Sequence, residues 1–286
     1  MEKDNQAINP ATSTASKKSG GKLLVKVGLA MLLVSGVMTG GFYSFLQAQS
    51  VPYNPAEHKI STQERNVTAQ VVNVEIHGPI DLRLEQSSTP KMSISGEQGL
   101  LDDLHAVVDG DTLKISGKGL KMNSHHNLRV ALSLPNLQNL KVQGSGDVLA
   151  KGFSGETMLV ALRGSGDVRF DGQYKNLTAQ LQGSGDLDIT SPNSEQVTLE
   201  LTGSGDITAK GQAKNLQTKV KGSGELRADN LIASVVNAES VGSGETQIHA
   251  KQSVQVDIRG TGEVNVYGNP TTRNVNALGH GEVNFR

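Results

Sequence analysis

The fold is decided by a tetrapeptide that first occurs as Gly144-Ser145-Gly146-Asp147 and then recurs along the rest of the chain. It occurs eight times, with small changes, at spacings of 18 to 20 residues. Its first glycines are Gly144, Gly164, Gly183, Gly203, Gly222, Gly242, Gly260 and Gly279. A nearly constant period of this length is typical of repeat architectures, in which each unit stacks on the next.

Apolar and polar residues alternate on both sides of each tetrapeptide. Met158, Val160 and Leu162 precede Gly164 at every second position, and Val168 and Phe170 follow Asp167 in the same way. A period of two predicts strands with one buried face. Because one unit cannot bury that face alone, equivalent strands of successive units must stack in parallel. The sequence therefore predicts an all-β fold, a parallel β-helix or β-solenoid with coils of 19–20 residues, right-handed by the crossover rule.

The glycines of each tetrapeptide are predicted to form a sharp corner of the coil. Such a corner needs residues with positive φ, and stacked corners leave no room for a Cβ atom. The predicted structural corner consists of Gly144, Gly146, Gly164, Gly166, Gly183, Gly185, Gly203, Gly205, Gly222, Gly224, Gly242 and Gly244.

An acidic residue closes every tetrapeptide, so the stacked coils are predicted to carry a ladder of carboxylates. In the first four units the residue is aspartate, namely Asp147, Asp167, Asp186 and Asp206. The favoured interpretation is structural: each carboxylate accepts a hydrogen bond from a backbone N–H of its own corner. The alternative is a row of calcium ions bound by these aspartates, since Gly-x-Gly-x-Asp resembles half of a calcium-binding β-roll repeat.

Residues 58–140 show strand patterns without the repeat. Strands are predicted at 67–76, 80–84, 91–95, 105–108, 112–116 and 128–134, and Asp109-Gly110-Asp111 is a hairpin turn signal. An uncovered first coil would expose a strand edge that invites polymerisation. We therefore expect residues 58–140 to form the first turns and the N-terminal cover of a repeat solenoid that spans 141–286.

The N-terminal segment is predicted to direct the protein to a membrane. Residues 1–22 have the composition of a disordered cytoplasmic tail, and 23–46 contain a long uncharged apolar run preceded by lysines. This pattern predicts a transmembrane signal-anchor helix with its N-terminus in the cytoplasm, followed by a linker at 47–57. The predicted location is the bacterial inner membrane with the C-terminal domain in the periplasm or elsewhere outside the cytoplasm. The alternative is a cleaved signal peptide and secretion.

Composition excludes several classes of function. The net charge is −1, so the chain has no basic field for nucleic acid. It has no cysteine, which excludes disulfides, thiol nucleophiles and cysteine-ligated metals. Phosphate-loop, dinucleotide and zinc motifs are missing, so no cofactor is expected. The recurring serines form a column rather than a unique nucleophile, and no catalytic residue or metal site is predicted.

One further observation comes from similarity to a known family. The run from Leu134-Pro135-Asn136-Leu137 through Gly144-Ser145-Gly146-Asp147, together with the later repeats, resembles the auto-transporter adhesin family with a head GIN domain. The resemblance covers about residues 70–286. It implies a β-solenoid protein of the bacterial envelope, and it carries over no catalytic residue.

The function that these observations favour is a membrane-anchored, exported and non-enzymatic binding or adhesion module. It would present an extended polar face to a protein or glycan ligand whose identity the sequence does not reveal. The first alternative is a structural protein of the envelope that assembles as a homo-oligomer. The second alternative is a carbohydrate-active β-helix enzyme, which would need a cleft with non-repeating carboxylates.

Overall fold

The computed structural model describes residues 60–117 and 128–286. This part of the chain is all-β, and it forms a parallel β-solenoid of about seven turns, which confirms the predicted solenoid architecture. Strands account for 77% of it, and it contains one short helix, α1 (Gln98–Asp102). The predicted tail, signal-anchor helix and linker (1–22, 23–46 and 47–57) lie outside the described residues. No helix within those residues is long and apolar enough to cross a membrane.

Seventeen strands follow one another along the described chain. They are β1 (Ile60–Arg65), β2 (Asn73–His77), β3 (Ile80–Gln86), β4 (Lys91–Glu97), β5 (His105–Asp109), β6 (Thr112–Ser116), β7 (Leu128–Leu134), β8 (Asn139–Gly144), β9 (Val148–Gly164), β10 (Val168–Gly183), β11 (Asp186–Gly203), β12 (Asp206–Gly222), β13 (Glu225–Gly242), β14 (Glu245–Gly260), β15 (Glu263–Tyr267), β16 (Thr272–Gly279) and β17 (Glu282–Phe285).

The long strands β9 to β14 each run almost once around the coil and pair in parallel with the equivalent strand of the next coil. In β9, residues 148–151 form a short side and 157–164 form a long side. Shifts in pairing register fall between these sides, for example after Asp171, and they absorb the difference between 19-residue and 20-residue coils. Equivalent residues such as Leu162, Leu181 and Leu201 therefore stack in register despite the uneven period.

The core is a column of apolar side chains inside the coils. Val148 and Ala150 on the short side, and Val160 and Leu162 on the long side, are each no more than 3% exposed. The apolar residues of the predicted alternating pattern therefore face the core, and the residues between them face the solvent. Bulky Phe153 belongs to the same core, which elsewhere consists mainly of Val, Leu, Ile and Ala.

The corners stack so closely that a side chain cannot fit. At all twelve glycines of the predicted corner, an added Cβ would lie 2.0–2.3 Å from a backbone carbonyl oxygen of the preceding coil. Gly183, with φ of 142°, is one example, and the clashing atom is the carbonyl oxygen of Gly164. That same oxygen accepts hydrogen bonds from the N–H groups of Ser184 and Gly185, at 3.0 and 3.2 Å. The hydrogen bonds between corners therefore depend on the missing side chain.

Residues before 140 build the first coils in an order that differs from the chain order. Strands β2 and β3 pair in parallel with β8 and β9, as the first turn of a continuous ladder would. On their other edges β2 and β3 pair in parallel with β6 and β7, which come later in the chain. The coil formed by β2 and β3 is therefore inserted between two coils that follow it in sequence.

The N-terminal end of the solenoid is covered by antiparallel strands and by α1. Strand β4 pairs antiparallel with β7, β1 pairs antiparallel with β4, and β5 pairs antiparallel with β6 through the predicted hairpin at Asp109. Leu101 of α1 and the nearby Leu104 are buried in the core. These elements lie outside the parallel ladder at this end of the solenoid.

The C-terminal coil is much less covered. All eight residues of β16 are exposed, including Val275 and Leu278 with 42% and 56% of their surface accessible. The guanidinium of Arg273 lies 4.4 Å from the centroid of the Phe285 ring and shields part of this end. Within the described residues, β16 and β17 pair only with the preceding coil.

We expect Gly183→Ala to lower the free energy of unfolding by roughly 3–5 kcal/mol, because the new Cβ meets a backbone oxygen and φ is positive. The measurement is urea unfolding of the full chain followed by circular dichroism. Gly99→Ala is the matched control, since a Cβ at Gly99 meets nothing within 4 Å. That variant should change the unfolding free energy by less than about 1 kcal/mol. Equal stability of the two variants would refute the packing account of the corners.

Candidate ligand-binding groove

The acidic residues form the predicted ladder, but they bond to the neighbouring coil rather than to their own corner. Oδ1 of Asp147 accepts the backbone N–H of Asp167 at 3.2 Å, and Oδ1 of Asp167 accepts that of Asp186 at 3.3 Å. Oδ1 of Asp206 accepts the N–H of Glu225 at 3.2 Å. The favoured interpretation of the sequence placed each hydrogen bond within one corner. The structure differs because the coils are close enough for a carboxylate to reach the next N–H along the stack.

The ladder begins one coil earlier than the tetrapeptides indicate. Oδ1 of Asp81 accepts the N–H of Asp147 at 3.2 Å. Gly78-Pro79-Ile80-Asp81 therefore forms the corner of the preceding coil, in the position equivalent to Gly144-Ser145-Gly146-Asp147. Sequence analysis missed this corner because proline and isoleucine replace serine and glycine. The remaining signal is a glycine with an acidic residue three positions later.

Crowding of the carboxylates affects their protonation. The pKa of Asp186 is raised, first by partial burial and then by repulsion from Asp167, Asp206 and Asp188. The backbone N–H of Asp206 opposes this shift because it stabilises the charged form. At Asp186 the ladder therefore combines a stabilising hydrogen bond with unfavourable charge contacts.

Two arginines on the short side compensate part of the negative charge. Arg169 donates to Oδ2 of Asp188 from Nε at 3.3 Å and from Nη2 at 3.0 Å. Arg227 donates from Nε to Glu225 at 2.6 Å and from Nη2 to Asp206 at 3.3 Å. Since these pairs are partly exposed, each contributes modestly to stability.

An open groove of about 790 Å³ lies on the outer surface of the short side. It runs from the antiparallel strands β4 and β7 across β3 and along the first coils of the repeat. The charged residues that line it are Asp81, Arg83, Arg129, Asp147, Asp167, Arg169, Asp186, Asp188, Asp206 and Arg227. Ser93, Ser95, Ala131 and Leu149 contribute neutral surface. The groove is thus a mixed-charge surface with hydroxyl groups and a small apolar area.

Two of these arginines differ from the others. Arg83 and Arg129 are exposed, and neither guanidinium forms an ion pair or hydrogen bond with any residue in the part of the chain that the structure describes. They lie on adjacent strands at the N-terminal end of the groove, because Asp81 pairs with Arg129 and Arg83 pairs with Ala131. Sequence analysis did not single them out, since they belong to strands outside the repeat.

The structure also places the other residues considered as sites. The corner serines, such as Ser145 and Ser165, lie on the exposed surface of the corners. His249 is half-buried, and its Nδ1 lies 3.2 Å from the carbonyl oxygen of Asp229. Among residues 60–117 and 128–286, no group of three or more histidine, aspartate or glutamate side chains is arranged to hold a metal ion. Calcium binding by Asp147, Asp167, Asp186 and Asp206 stays a hypothesis for experiment.

Comparison with known proteins identifies relatives of this architecture. A family model described as "Putative auto-transporter adhesin, head GIN domain" matches residues 72–270, which confirms the resemblance found in the sequence. No curated protein matches the chain significantly.

Solved structures with the same fold include three from Parabacteroides species. A putative adhesin from Parabacteroides distasonis has a TM-score of 0.75 and 21% identity, with 81% of this chain and 98% of that chain covered. A putative adhesin from Parabacteroides merdae has a TM-score of 0.74 and 22% identity over 80% and 96% of the two chains. A putative lipid binding protein from Parabacteroides distasonis has a TM-score of 0.73 and 24% identity over 80% and 97%. At these identities the likeness establishes the fold alone.

We expect Asp186→Asn to stabilise the protein near neutral pH. Because the pKa of Asp186 is raised in the folded state, its protonated form favours folding, and this contribution is lost as pH rises through the folded pKa. The stability advantage of the variant should grow as the pH rises above the unfolded pKa of aspartate, about 3.9, and reach at most about 1 kcal/mol. It should shrink with added salt.

Urea unfolding at several pH values measures this difference. Asp171→Asn is the control, since Asp171 is an exposed residue outside the ladder. An Asp186→Asn variant that is less stable than wild type at neutral pH would mean that the hydrogen bond to Asp206 outweighs the charge repulsion.

Proposed function

Since the chain belongs to the family described as "Putative auto-transporter adhesin, head GIN domain", we propose that it is a non-enzymatic binding module of the bacterial envelope. In this proposal residues 23–46 anchor the chain in the inner membrane, and the solenoid lies outside the cytoplasm. The ligand is a glycan of the envelope or of a neighbouring surface. Nucleic acid has no role, because the chain carries a net charge of −1.

The groove on the short side is the single observation that carries this proposal. Its volume of about 790 Å³ is within the range of ligand sites, although it is open rather than enclosed. Its carboxylates and serine hydroxyls match the hydrogen-bonding groups of a sugar, and Ala131 and Leu149 offer apolar contact to the C–H groups of a ring. Oδ1 of Asp147 and of Asp167 is used by the backbone, while Oδ2 of each accepts no hydrogen bond from the described residues.

The arrangement of carboxylates favours binding over glycoside hydrolysis. A glycosidase needs two carboxylates with separate roles on either side of the bond that is cleaved. In this groove the ladder aspartates repeat from coil to coil and hold backbone N–H groups. Asp188, which does not belong to the ladder, is engaged by Arg169. These features support a surface that holds a ligand by several modest contacts.

The proposal is tested by a glycan array probed with the purified full chain in mild detergent, with calcium and with chelator. We expect saturable binding to a defined set of glycans, reduced at least about tenfold in affinity by Asp147→Asn with Asp167→Asn. Glu195→Gln with Glu239→Gln, on other surfaces, serves as the charge-matched control. Loss of binding in chelator would support the calcium hypothesis. A folded protein without any glycan hit would contradict the proposal.

A second candidate function, assembly into a homo-oligomer, is favoured by the exposed C-terminal coil. One edge of β16 pairs with no strand of residues 60–117 and 128–286, and an exposed edge readily pairs with another strand. A second copy fits this edge. If β16 of one copy pairs antiparallel with β16 of the second copy about Val275, Arg273 of each lies opposite Ala277 of the other. The core-facing side chains of the two copies then lie on the same face of the joined sheet.

We expect the full chain to form dimers in a concentration-dependent manner, and Val275→Lys to abolish them because two like charges would then face each other. Analytical ultracentrifugation in density-matched detergent measures the mass. Thr190→Lys adds the same charge at an exposed site of β11 and should leave the dimer intact. A monomer at all concentrations, or a dimer that survives Val275→Lys, would exclude assembly through this edge.

A further inference from the structure

The two ends of the groove carry different side chains: serines and arginines line its N-terminal end, and aspartates line most of the rest. Strand β4 contributes Ser93 and Ser95, and β7 contributes Arg129 next to Ser95 in the pairing register. Arg83 of β3 lies one strand further on, diagonally across from Arg129. Beyond Arg83 the groove continues over Leu149 and along the aspartate ladder.

The two arginines at this end are close enough to bind the same functional group of a ligand. Diagonal neighbours on adjacent strands are separated by roughly 7–8 Å, and two long side chains can converge across that distance. Each guanidinium carries five N–H donors and is charged at every relevant pH. Arg169 and Arg227 have carboxylate partners in the protein, whereas Arg83 and Arg129 have none among the described residues.

The surrounding charges limit what such a pair would accept. The aspartate ladder repels an anion along most of the groove, so a uniformly charged anionic chain would be disfavoured there. At the N-terminal end one carboxylate, Asp81, lies opposite Arg129 in the pairing register. The two guanidinium groups outnumber it, and together with the hydroxyls of Ser93 and Ser95 they offer donors for a single acidic group. Along the ladder, carboxylate oxygens are instead suited to sugar hydroxyl groups.

We propose that Arg83 and Arg129 bind the carboxylate of a uronic acid residue in an acidic polysaccharide, with neighbouring rings placed along Leu149, Asp147 and Asp167. This inference rests on the proposed glycan-binding function and assigns its ligand class. Guanidinium groups bind the planar carboxylate through paired hydrogen bonds. The apolar side chain of Leu149 contacts the C–H face of the next ring, and the aspartates accept its hydroxyl groups.

The experiment compares two forms of one oligosaccharide. An oligogalacturonate and its fully methyl-esterified form have the same sugar chain, but the ester has no charge. Binding of each to the full chain in mild detergent is measured by calorimetry at low salt and in chelator, so that calcium does not bridge the ligand. We expect the acid to bind at least about tenfold more tightly than the ester.

The variant Arg83→Gln with Arg129→Gln should abolish this preference, so that the acid binds no more tightly than the ester. Both side chains are exposed, so the variant should unfold at the wild-type temperature. Arg163→Gln is the matched control, because Arg163 is an exposed arginine on the long side. It should retain the full preference for the acid.

Each remaining result contradicts the inference in a different way. Equal binding of acid and ester, or a preference that survives in the double variant, rejects the role of the two arginines but leaves glycan binding intact. Binding of neither form, together with an empty glycan array, rejects the proposed function as well. Arginine-dependent binding to phosphatidylglycerol vesicles, with no binding to oligogalacturonate, would assign the two arginines to a lipid phosphate and overturn the uronic acid assignment.

Discussion

The close approach of backbone to backbone at the corners is the constraint on which the rest of the structure depends. A carbonyl oxygen of one coil occupies the space where the next coil would carry a Cβ atom, and it accepts two N–H groups there. Any side chain at such a position would force the coils apart. Separation at one corner would also break the ladders on the short and long sides, because each strand continues directly into the corner.

The acidic ladder follows from the same spacing. Coils in contact bring equivalent aspartates together, which is electrostatically unfavourable. The same distance lets the aspartates reach the N–H of the next coil, and arginines such as Arg169 and Arg227 neutralise part of the charge. The repeat therefore keeps its carboxylates because they satisfy backbone donors, and a ligand would use the oxygens that remain.

The side chains that distinguish one part of the groove from another lie where the repeat is interrupted. The coils of the repeat are nearly equivalent, so a single one offers little to distinguish one ligand from another. The N-terminal strands interrupt this equivalence by adding an antiparallel edge, two serines and the arginines at 83 and 129 to the same outer surface. The cover that protects the first coil thus also completes the groove in which the proposed function resides.

The sequence by itself determined the solenoid, its corners and its buried face, because these depend on local patterns: a period of two along strands and a glycine wherever stacking excludes Cβ. It also located most strands before residue 140. Only the tertiary structure decided the order of the first coils, the partner of each ladder carboxylate and the proximity of Arg83 to Arg129. Those features depend on which strands become neighbours across dozens of residues, and no short-range pattern encodes that pairing.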